Sequence, residues 1–321
     1  KSAIRKYWSN VHFDLVLYST PPITFEKVVR SIKKRDNAKS YLMLKDIFPQ
    51  NAVDLGMLQT TGVKSIIYKY FRKKEKKLYA ISDHIGCMSQ ANVDYVINHN
   101  PEVDPTIVEV CPNCIEVIDK SVDGETRRQI REKYGIPLNK KVFVYGGNLG
   151  KPQGIPFLIE CLRKCQDIDD AFFLIVGDGT EYRLLENYVK TEKPKNVKLM
   201  KRLPKEDYDT MVGACDVGLI FLDYRFTIPN FPSRLLAYMQ AKLPVLAATD
   251  PNTDIGKVIM DGEFGWWCES NDADKVYKII SDVSTQPLNE KGGQGYEYLK
   301  KHYSVEESYR IICNHFGGKI R

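Results

Sequence analysis

Short runs of β-forming residues alternate with helix-like stretches along nearly the whole chain, and this alternation restricts the possible folds more than any other feature. Four such runs occupy the first third of the sequence, at residues 13–19, 40–44, 84–88 and 106–110. Stretches with the apolar spacing of amphipathic helices separate them, at residues 24–35, 63–80 and 89–98. Strands that helices separate in this way pair as a parallel sheet. The first third therefore predicts one α/β domain.

A second alternating series follows a polar stretch at residues 119–140. Each of its β-forming runs precedes a loop with glycine or proline and then an amphipathic pattern; the runs are KVFVY, AFFLIV, NVKLM, DVGLIF and PVLAA. A chain of 321 residues, 43% of them hydrophobic, is long enough for two cores. We predict a first domain over 1–116, a second over 117–300, and a terminal helix over 301–321 that packs back on the first. Ser304 and Glu307 have the spacing of a capping box at the start of that helix.

Two glycine-containing loops, YGGNLGKPQG and GDGT, follow neighbouring runs of the second series. Doubly wound sheets bind ligands at the carboxyl ends of their strands, where glycines bring main-chain N–H groups close to an anion. The candidate binding residues in these loops are Gly147, Gly150, Lys151, Gly177, Asp178 and Gly179. The spacing fits neither the Walker loop nor the dinucleotide GxGxxG pattern. The loops predict a phosphate site, and the alternative that the glycines serve turn geometry alone stays open.

A third element, FLDYRFTIPNFPSRLLAYMQAKLPVLAAT, spans residues 221–249. It begins as a hydrophobic strand, passes through an irregular loop with two prolines, and enters a helix near Ser233. The free N–H groups of a helix start and the guanidinium of Arg234 are groups that bind a diphosphate. The combination of this element with the two glycine loops is more specific than any loop alone.

In order and spacing, these elements resemble the donor domain of retaining nucleotide-sugar glycosyltransferases of the GT-B fold, family four. The similarity covers nearly all of residues 141–282 and is carried by YGGNLGKPQG, LIVGDGTEYRLL, NVKLMKRLPKEDYDTMVGACDVGLIF and NFPSRLLAYMQAKLPVLAA. The first domain resembles the same family in YLMLKDIFPQNAVDLG, SDHIGCMSQ and VCPNC. The resemblance implies two Rossmann-like doubly wound parallel-sheet domains that face each other, the amino-terminal one on the acceptor side and lacking its first strand and loop.

The resemblance also implies roles for individual residues. Asn148 and Gln153 stand where family members carry an arginine and a lysine that grip the diphosphate, and Lys151 supplies that charge in one branch. Pro229 and Ala237 stand where many members carry two glutamates. The other donor-binding candidates are Arg202 and Leu203 near the base, and Phe231, Pro232, Ser233 and Arg234 near the sugar and diphosphate. The candidate catalytic residues are Lys45, Asp46 and Asn230. A capping role for Asp46 and an ordinary solvated role for Arg202 are open alternatives.

The activity that the resemblance implies is hexosyl transfer with retention of configuration from a nucleotide-sugar donor, with a UDP-sugar favoured. Within the family, the sequence is similar to bacterial capsule and O-antigen N-acetylfucosaminyl transferases, which implies a lipid-diphosphate-linked saccharide as acceptor. The resemblance implies no cofactor and no required metal. A single CxxC, CPNC at residues 111–114, leaves zinc as a minor alternative to a plain strand-end turn.

Positive charge is concentrated in one segment. Residues 64–77 carry seven lysines and arginines against one acid, although the formal net charge of the whole chain is only +6. Apolar residues fall roughly on one stripe of a helix over 63–80, away from the lysines, at Ile66, Ile67, Tyr70, Phe71 and Leu78. We expect this basic helix to hold a cytoplasmic protein against the inner face of the bacterial plasma membrane. The alternatives are a surface helix whose stripe packs on its own domain and, less favoured, a nucleic-acid-binding helix.

Two other functions stay open at this point. Nucleotide-sugar 2-epimerases share the GT-B architecture and would convert a free nucleotide-sugar without an acceptor. A non-catalytic protein that binds a nucleotide-sugar or a lipid would account for the two replaced glutamates.

Overall fold

The computed structural model describes residues 1–317, and the chain divides into two compact units. The first unit contains residues 1–113 together with two later segments, 226–230 and the described residues from Ser308 onward. The second unit contains residues 114–225 and 231–307. Each unit has one parallel sheet. The predicted α/β class with two parallel sheets is confirmed.

The sheet of the first unit has four strands in the order β1-β2-β3-β4, all parallel. The strands are β1 (Leu15–Ser19), β2 (Lys39–Leu44), β3 (His84–Cys87) and β4 (Val108–Val110). The helices are α1 (Ser2–Tyr7), α2 (Glu26–Asp36), α3 (Gln50–Asp54), α4 (Ser65–Tyr79) and α5 (Gln90–His99).

The apolar core of the first unit includes side chains from far along the chain. Leu42 on β2 is fully buried, and Phe226 and Ile228 join the same core with exposed fractions of 2% and 0%. A polar contact also fixes this later segment, because the Asn92 side-chain amide donates to the Pro229 carbonyl oxygen at 2.7 Å. Residues 226–230 therefore complete the first unit.

The sheet of the second unit has six parallel strands in the order β10-β9-β8-β5-β6-β7. The strands are β5 (Lys141–Asn148), β6 (Ala171–Asp178), β7 (Val197–Met200), β8 (Val217–Phe221), β9 (Val245–Thr249) and β10 (Gly265–Glu269). The strand order reverses between β5 and β8, so the crevice at which such sheets bind ligands lies at the carboxyl end of β5.

Helices connect the strands of the second unit. They are α6 (Gly124–Lys133), α7 (Ile155–Lys164), α8 (Tyr182–Glu192), α9 (Lys205–Gly213), α10 (Arg234–Gln240), α11 (Ile255–Asp261), α12 (Ala273–Ser284) and α13 (Asn289–His302). A last helix, α14 (Val305–Asn314), follows α13 after a break. No helix within residues 1–317 is both long and apolar enough to cross a bilayer.

Three boundaries differ from the sequence prediction. Gly147 and Asn148 continue β5, and Gly177 and Asp178 continue β6, because the two strand ends pair with each other in register. Residues 105–107 form a short 3-10 helix before β4 instead of strand. The polar stretch 119–140 contains α6, which begins where the Asp123 carboxylate accepts from the Thr126 N–H at 2.7 Å.

The terminal helix was predicted over residues 301–321, and the structure divides this region. Helix α13 ends at His302, and α14 begins after Ser304. The Ser304 hydroxyl accepts from the Glu307 N–H at 3.1 Å, which confirms the predicted cap. The last four residues of the predicted helix, 318–321, lie outside the described residues.

Candidate functional site

A cavity of about 500 Å³ opens at the carboxyl ends of β5 and β6. Nine residues line it, namely Gly147, Asn148, Val176, Gly177, Asp178, Arg202, Leu203, Lys205 and Tyr208. The structure thus brings together six of the residues predicted from the sequence, namely Gly147, Asn148, Gly177, Asp178, Arg202 and Leu203. The remaining predicted residues of the second unit are not among those that line it.

The glycines of the second loop serve the packing of main chain against main chain. A Cβ on Gly177 would overlap the carbonyl oxygen of Gly147, its partner in the β5–β6 register. A Cβ on Gly179 would overlap the main chain of Leu149. Only glycine lets the two loops approach this closely. Turn and packing geometry, which the sequence left open as an alternative, therefore accounts for Gly177 and Gly179.

Gly147 has a different role. Its φ of 114° is a conformation that residues with a side chain rarely adopt. A Cβ at Gly147 would lie 3.9 Å from Nη2 of Arg234, so the glycine leaves this side of the guanidinium uncovered. Gly147 is the point at which the end of β5 and the start of α10 meet.

The loop after β5 is braced by one of its own side chains. The Gln153 Oε1 accepts from the Asn148 side-chain amide and from the Gly150 N–H, both at 3.2 Å. Gln153 is buried, and Lys151 in the same loop is exposed. Gln153 therefore holds the loop closed, and its amide oxygen is engaged within the protein.

Arg234 is a partly buried cation at the start of α10. Its Nη1 is closed off from solvent and has no hydrogen-bond partner among residues 1–317. The guanidinium lies over the ring of Tyr145, with Cζ 4.4 Å from the ring centroid. The groups that act electrostatically on Arg234 are the phenols of Tyr145, Tyr208 and Tyr238, and none of these is a carboxylate.

These three phenols stay neutral at physiological pH. Burial raises the pKa of Tyr208 to about 12. Burial also raises the pKa of Tyr145, and it raises the pKa of Tyr238 well above the usual phenol value. Because a neutral phenol does not cancel a positive charge, the charge of Arg234 remains available to an anion at this edge of the sheet.

Tyr208 is a cavity residue that the sequence prediction missed, together with Val176 and Lys205. Tyr208 lies on α9, and its hydroxyl fills the space beside Gly146, where a Cβ would overlap it. Gly146 lies in the first glycine-containing segment, and its missing side chain makes room for this phenol. The pairing joins residues more than sixty positions apart, and no local pattern in the sequence signals it.

The other predicted donor residues have the following environments. Asp178 is exposed, and its carboxylate accepts from the Gly179 N–H at 2.9 Å. Phe231 is partly buried against the second apolar cluster of its unit, with its ring centroid 6.1 Å from that of Tyr303. Pro232 is partly buried and Ser233 is exposed directly before α10.

The predicted catalytic residues Lys45, Asp46 and Asn230 all belong to the first unit. Lys45 is exposed and Asp46 partly buried, directly after the carboxyl end of β2. The main chain of Asp46 is held by Thr20, whose hydroxyl donates to the Asp46 carbonyl oxygen at 3.3 Å. Burial raises the pKa of the Asp46 carboxyl. Its carboxylate makes none of the hydrogen bonds found within residues 1–317, so nothing described there supports a capping role.

The predicted apolar stripe of α4 is wrong in part. Leu78 is buried and Phe71 packs partly buried against the core, but the earlier apolar residues Ile66, Ile67 and Tyr70 are exposed. A polar contact also joins the helix to the unit, because Arg72 donates to the His99 carbonyl oxygen at 2.9 Å. The face that turns away from the unit is therefore both apolar and basic.

The apolar side chains of this face are largely exposed, at 66% for Ile66, 55% for Tyr70 and 52% for Ile67, and Val63 just before the helix is 85% exposed. The lysines of the following turns share the outer side of the helix.

The two cysteines of CPNC do not form part of a metal cluster in the described chain. Cys111 is buried and Cys114 is half-buried, and neither forms a disulfide bond within residues 1–317. No group of three or more His, Cys, Asp or Glu side chains within residues 1–317 is arranged to hold a metal ion.

Two parallel-sheet units, with a cavity at the carboxyl ends of β5 and β6 in the second sheet, define an α/β protein of the GT-B type. The structure of HepE from Anabaena in complex with UDP and glucose matches 99% of this chain and 82% of its own with a TM-score of 0.75, at 16% identity. A likeness at this identity establishes the fold.

The chain belongs to the glycosyl transferases group 1 family, which matches residues 126–300, more than half of its length. It is similar to the probable glycosyltransferase WbjE of Pseudomonas aeruginosa, with 26% identity over 296 residues that cover 91% of this chain and 71% of WbjE. It is also similar to the putative colanic acid biosynthesis glycosyl transferase WcaI of Escherichia coli K12, with 24% identity over 64% of this chain. The match covers 49% of WcaI, so the chain spans about half of that relative.

Proposed function

We propose that this group 1 glycosyltransferase transfers a hexose with retention of configuration from a nucleotide-sugar, with a UDP-sugar favoured, to a lipid-linked saccharide in bacterial surface polysaccharide synthesis. The observation that most supports the donor is Arg234, a cation whose Nη1 is closed off from solvent without a partner beside the uncovered main chain of Gly147. A buried guanidinium nitrogen without a hydrogen-bond partner costs free energy, which an incoming anion offsets. HepE, which has the same fold, binds UDP.

In the proposed reaction, negative charge develops on the diphosphate oxygen that Arg234 would contact. Cleavage of the bond between the sugar and the diphosphate leaves negative charge on the departing oxygen, and a fixed cation in a poorly solvated site stabilises that charge. In the retaining reaction the acceptor hydroxyl attacks on the face that the diphosphate leaves. The new C–O bond forms as the old one breaks, and the hydroxyl proton passes to a diphosphate oxygen. Lys151, on the exposed loop after β5, is the second candidate cation.

The rest of the cavity suits the nucleoside. Arg202 and Leu203 line it and are our candidates for contact with the base. The exposed Asp178 carboxylate lines the same cavity and is placed to accept from a hydroxyl of the ligand.

Asp46 is our candidate for the acceptor side. It follows the carboxyl end of β2, the edge at which parallel sheets bind ligands. Its shielded carboxyl has a raised pKa, which is typical of a carboxylate that contacts a reacting group. We propose that Asp46 accepts a hydrogen bond from the acceptor hydroxyl, with Lys45 and Asn230 as further candidates in the same unit.

Helix α4 is our candidate for contact with the membrane that carries the acceptor. Exposed apolar side chains at Ile66, Ile67 and Tyr70 on the helix and at Val63 just before it are suited to the acyl boundary of a bilayer. Each lysine near an anionic surface contributes about 1 kcal/mol of attraction. The combination favours an anionic membrane over a nucleic acid, which offers no apolar layer.

The donor assignment is tested by titrating the full chain with UDP in a calorimeter. We expect Arg234→Ala to weaken UDP binding by about tenfold to a hundredfold, the range for a charge-assisted hydrogen bond of 1.5–3 kcal/mol. The matched control is Arg163→Ala, since Arg163 also lies over a tyrosine of the second unit, Tyr188, at 5.6 Å. Equal UDP affinity in wild type and Arg234→Ala would remove the diphosphate assignment. Conversion of a free nucleotide-sugar without acceptor would instead indicate an epimerase.

The membrane assignment is tested by sedimentation with vesicles that contain anionic phospholipid. We expect the double variant Ile66→Asn with Ile67→Asn to lower the bound fraction while donor binding is kept. Met260→Asn is the control, because Met260 is 52% exposed on the second unit. Equal sedimentation of the double variant and the wild type would contradict a role for this helix.

A further inference from the structure

Tyr145 connects two parts of the site that the proposed function assigns to the diphosphate. It lies on β5 and is fully buried. Its ring supports the Arg234 guanidinium, with Cζ 4.4 Å from the ring centroid. Its hydroxyl donates to the Asn148 main-chain oxygen at 3.1 Å, at the strand end that lines the cavity. One side chain therefore contacts both the cation and the neighbouring main chain.

An aromatic ring holds a cation without neutralising it. The face of the ring carries negative potential from its quadrupole, which attracts a guanidinium but leaves its net charge intact. A carboxylate in the same position would bind the guanidinium more strongly and would compete with a phosphate for it. Among the described residues, Tyr145 is thus a support that fixes the direction of Arg234 and keeps its charge available.

The phenols of Tyr238 and Tyr208 make their main contacts with other parts of the second unit. The Tyr238 hydroxyl donates to the Val144 and Leu219 carbonyl oxygens, at 3.2 and 3.1 Å, and so connects β5 with β8. Tyr208 reaches the cavity from α9 and fills the space beside Gly146. Neither has the double contact, to the guanidinium face and to the end of β5, that Tyr145 makes.

We propose that Tyr145 is a positioning residue for the donor diphosphate, acting through its ring on Arg234 and through its hydroxyl on the Asn148 peptide. This inference rests on the proposed function, because it requires that Arg234 bind the diphosphate. It adds that the affinity of Arg234 for the ligand depends on the electron density of the ring below it.

The two contacts of Tyr145 are separable by substitution. Tyr145→Phe keeps the ring and removes the hydroxyl, and we expect UDP affinity to fall by about twofold to tenfold, the range for one hydrogen bond. Replacing that phenylalanine with pentafluorophenylalanine keeps the shape and reverses the ring quadrupole. We expect this change to weaken UDP binding by a further factor of about two to thirty, the range for a cation–π contact.

A double-mutant cycle separates this role from general support of the fold. In the Arg234→Ala background, the exchange of phenylalanine for pentafluorophenylalanine at position 145 should leave UDP affinity within about twofold, because the cation it acts on is gone. The same exchange at Tyr188, which lies under Arg163, is the control and should not change UDP affinity. Melting temperatures of all variants report whether the fold is kept and whether the somewhat larger fluorinated ring is accommodated at this buried position.

The outcomes distinguish the two proposals. If UDP binding is the same with and without the Arg234 side chain, the assignment of the diphosphate to Arg234 in the proposed function fails. If UDP binding requires Arg234 but ignores the fluorination of residue 145, only the positioning role is overturned. If fluorination weakens UDP binding equally in the presence and absence of Arg234, the ring acts through the fold and the positioning role is likewise overturned. A loss of UDP affinity on fluorination that occurs only when Arg234 is present supports the positioning role of Tyr145.

Discussion

Gly177→Ala should destabilise the second unit and weaken donor binding together. The added methyl group would overlap the carbonyl oxygen of Gly147, and this oxygen belongs to the main chain of a central strand. A flexible side chain would move aside, but β5 is held by β6 on one side and β8 on the other. The two strand ends must therefore separate to admit the methyl group.

Overpacking of this kind costs about 1–3 kcal/mol of unfolding free energy. For a unit of this size, each kcal/mol lowers the melting temperature by about 2–4 °C. Since Gly147 lies next to Arg234, the same separation should also reduce UDP affinity. The measurements are urea unfolding followed by circular dichroism, and calorimetric titration with UDP.

Gly293→Ala is the matched control for this substitution. Gly293 lies in α13 of the same unit, and a Cβ built on it meets no atom within 4 Å. We expect this variant to gain about 0.5–1 kcal/mol, since alanine is the better helix former. A Gly177→Ala protein as stable as the wild type, with the same UDP affinity, would refute the argument that close main-chain approach shapes the cavity.

Three further substitutions have expected outcomes. Asp216→Asn should cost about 3–5 kcal/mol in urea unfolding, because it leaves the buried guanidinium of Arg131, now paired at 2.6 Å, without its counter-charge. The side-chain hydrogen bond from Lys242 lowers the pKa of Asp119 to about 2, so its contribution to stability is full above the unfolded-state pKa and is lost as the pH falls towards about 2. The unfolding free energies of wild type and Asp119→Asn should therefore differ at pH 6 and converge near pH 2. Ser304→Ala should lower stability by about 1 kcal/mol, because it removes the acceptor for the Glu307 N–H.

The sequence was sufficient to predict the elements of the fold because parallel strands carry their signal locally. Each β-forming run corresponds to a strand, and the class and the two sheets follow from their alternation. Strands β5 and β6 were predicted to end too early, because glycines after a β-forming run favour a loop. Only the pairing of Gly147 with Gly177 in the folded sheet shows that both belong to strands.

The site was predictable only where it follows the strand ends. Gly147 and Asp178 line the cavity and were predicted from the rule that doubly wound sheets bind ligands at the carboxyl ends of their strands. Asn148 also lines it and was predicted from the family resemblance. The contact of Tyr145 with Arg234 joins residues from different elements, so no local pattern predicts it. From hydrophobic periodicity, Tyr145 is predicted only as a core residue. The direction of α4 was also misjudged in part, because Phe71 and Leu78 of the predicted stripe pack on the unit while its earlier apolar residues are exposed.

The division of the chain between two units affects when each unit can fold during synthesis. The chain passes between the two units four times, at residues 113, 225, 230 and 307. The first unit needs Phe226 and Ile228 for its core and Ile312 for the small cluster around Tyr41. The ribosome adds these residues long after residue 113. The first unit therefore cannot complete its core when only residues 1–113 have been made. If the chain were expressed as two fragments divided at residue 113, the first fragment would lack part of its apolar core. The second fragment would expose the apolar side chains of Phe226 and Ile228.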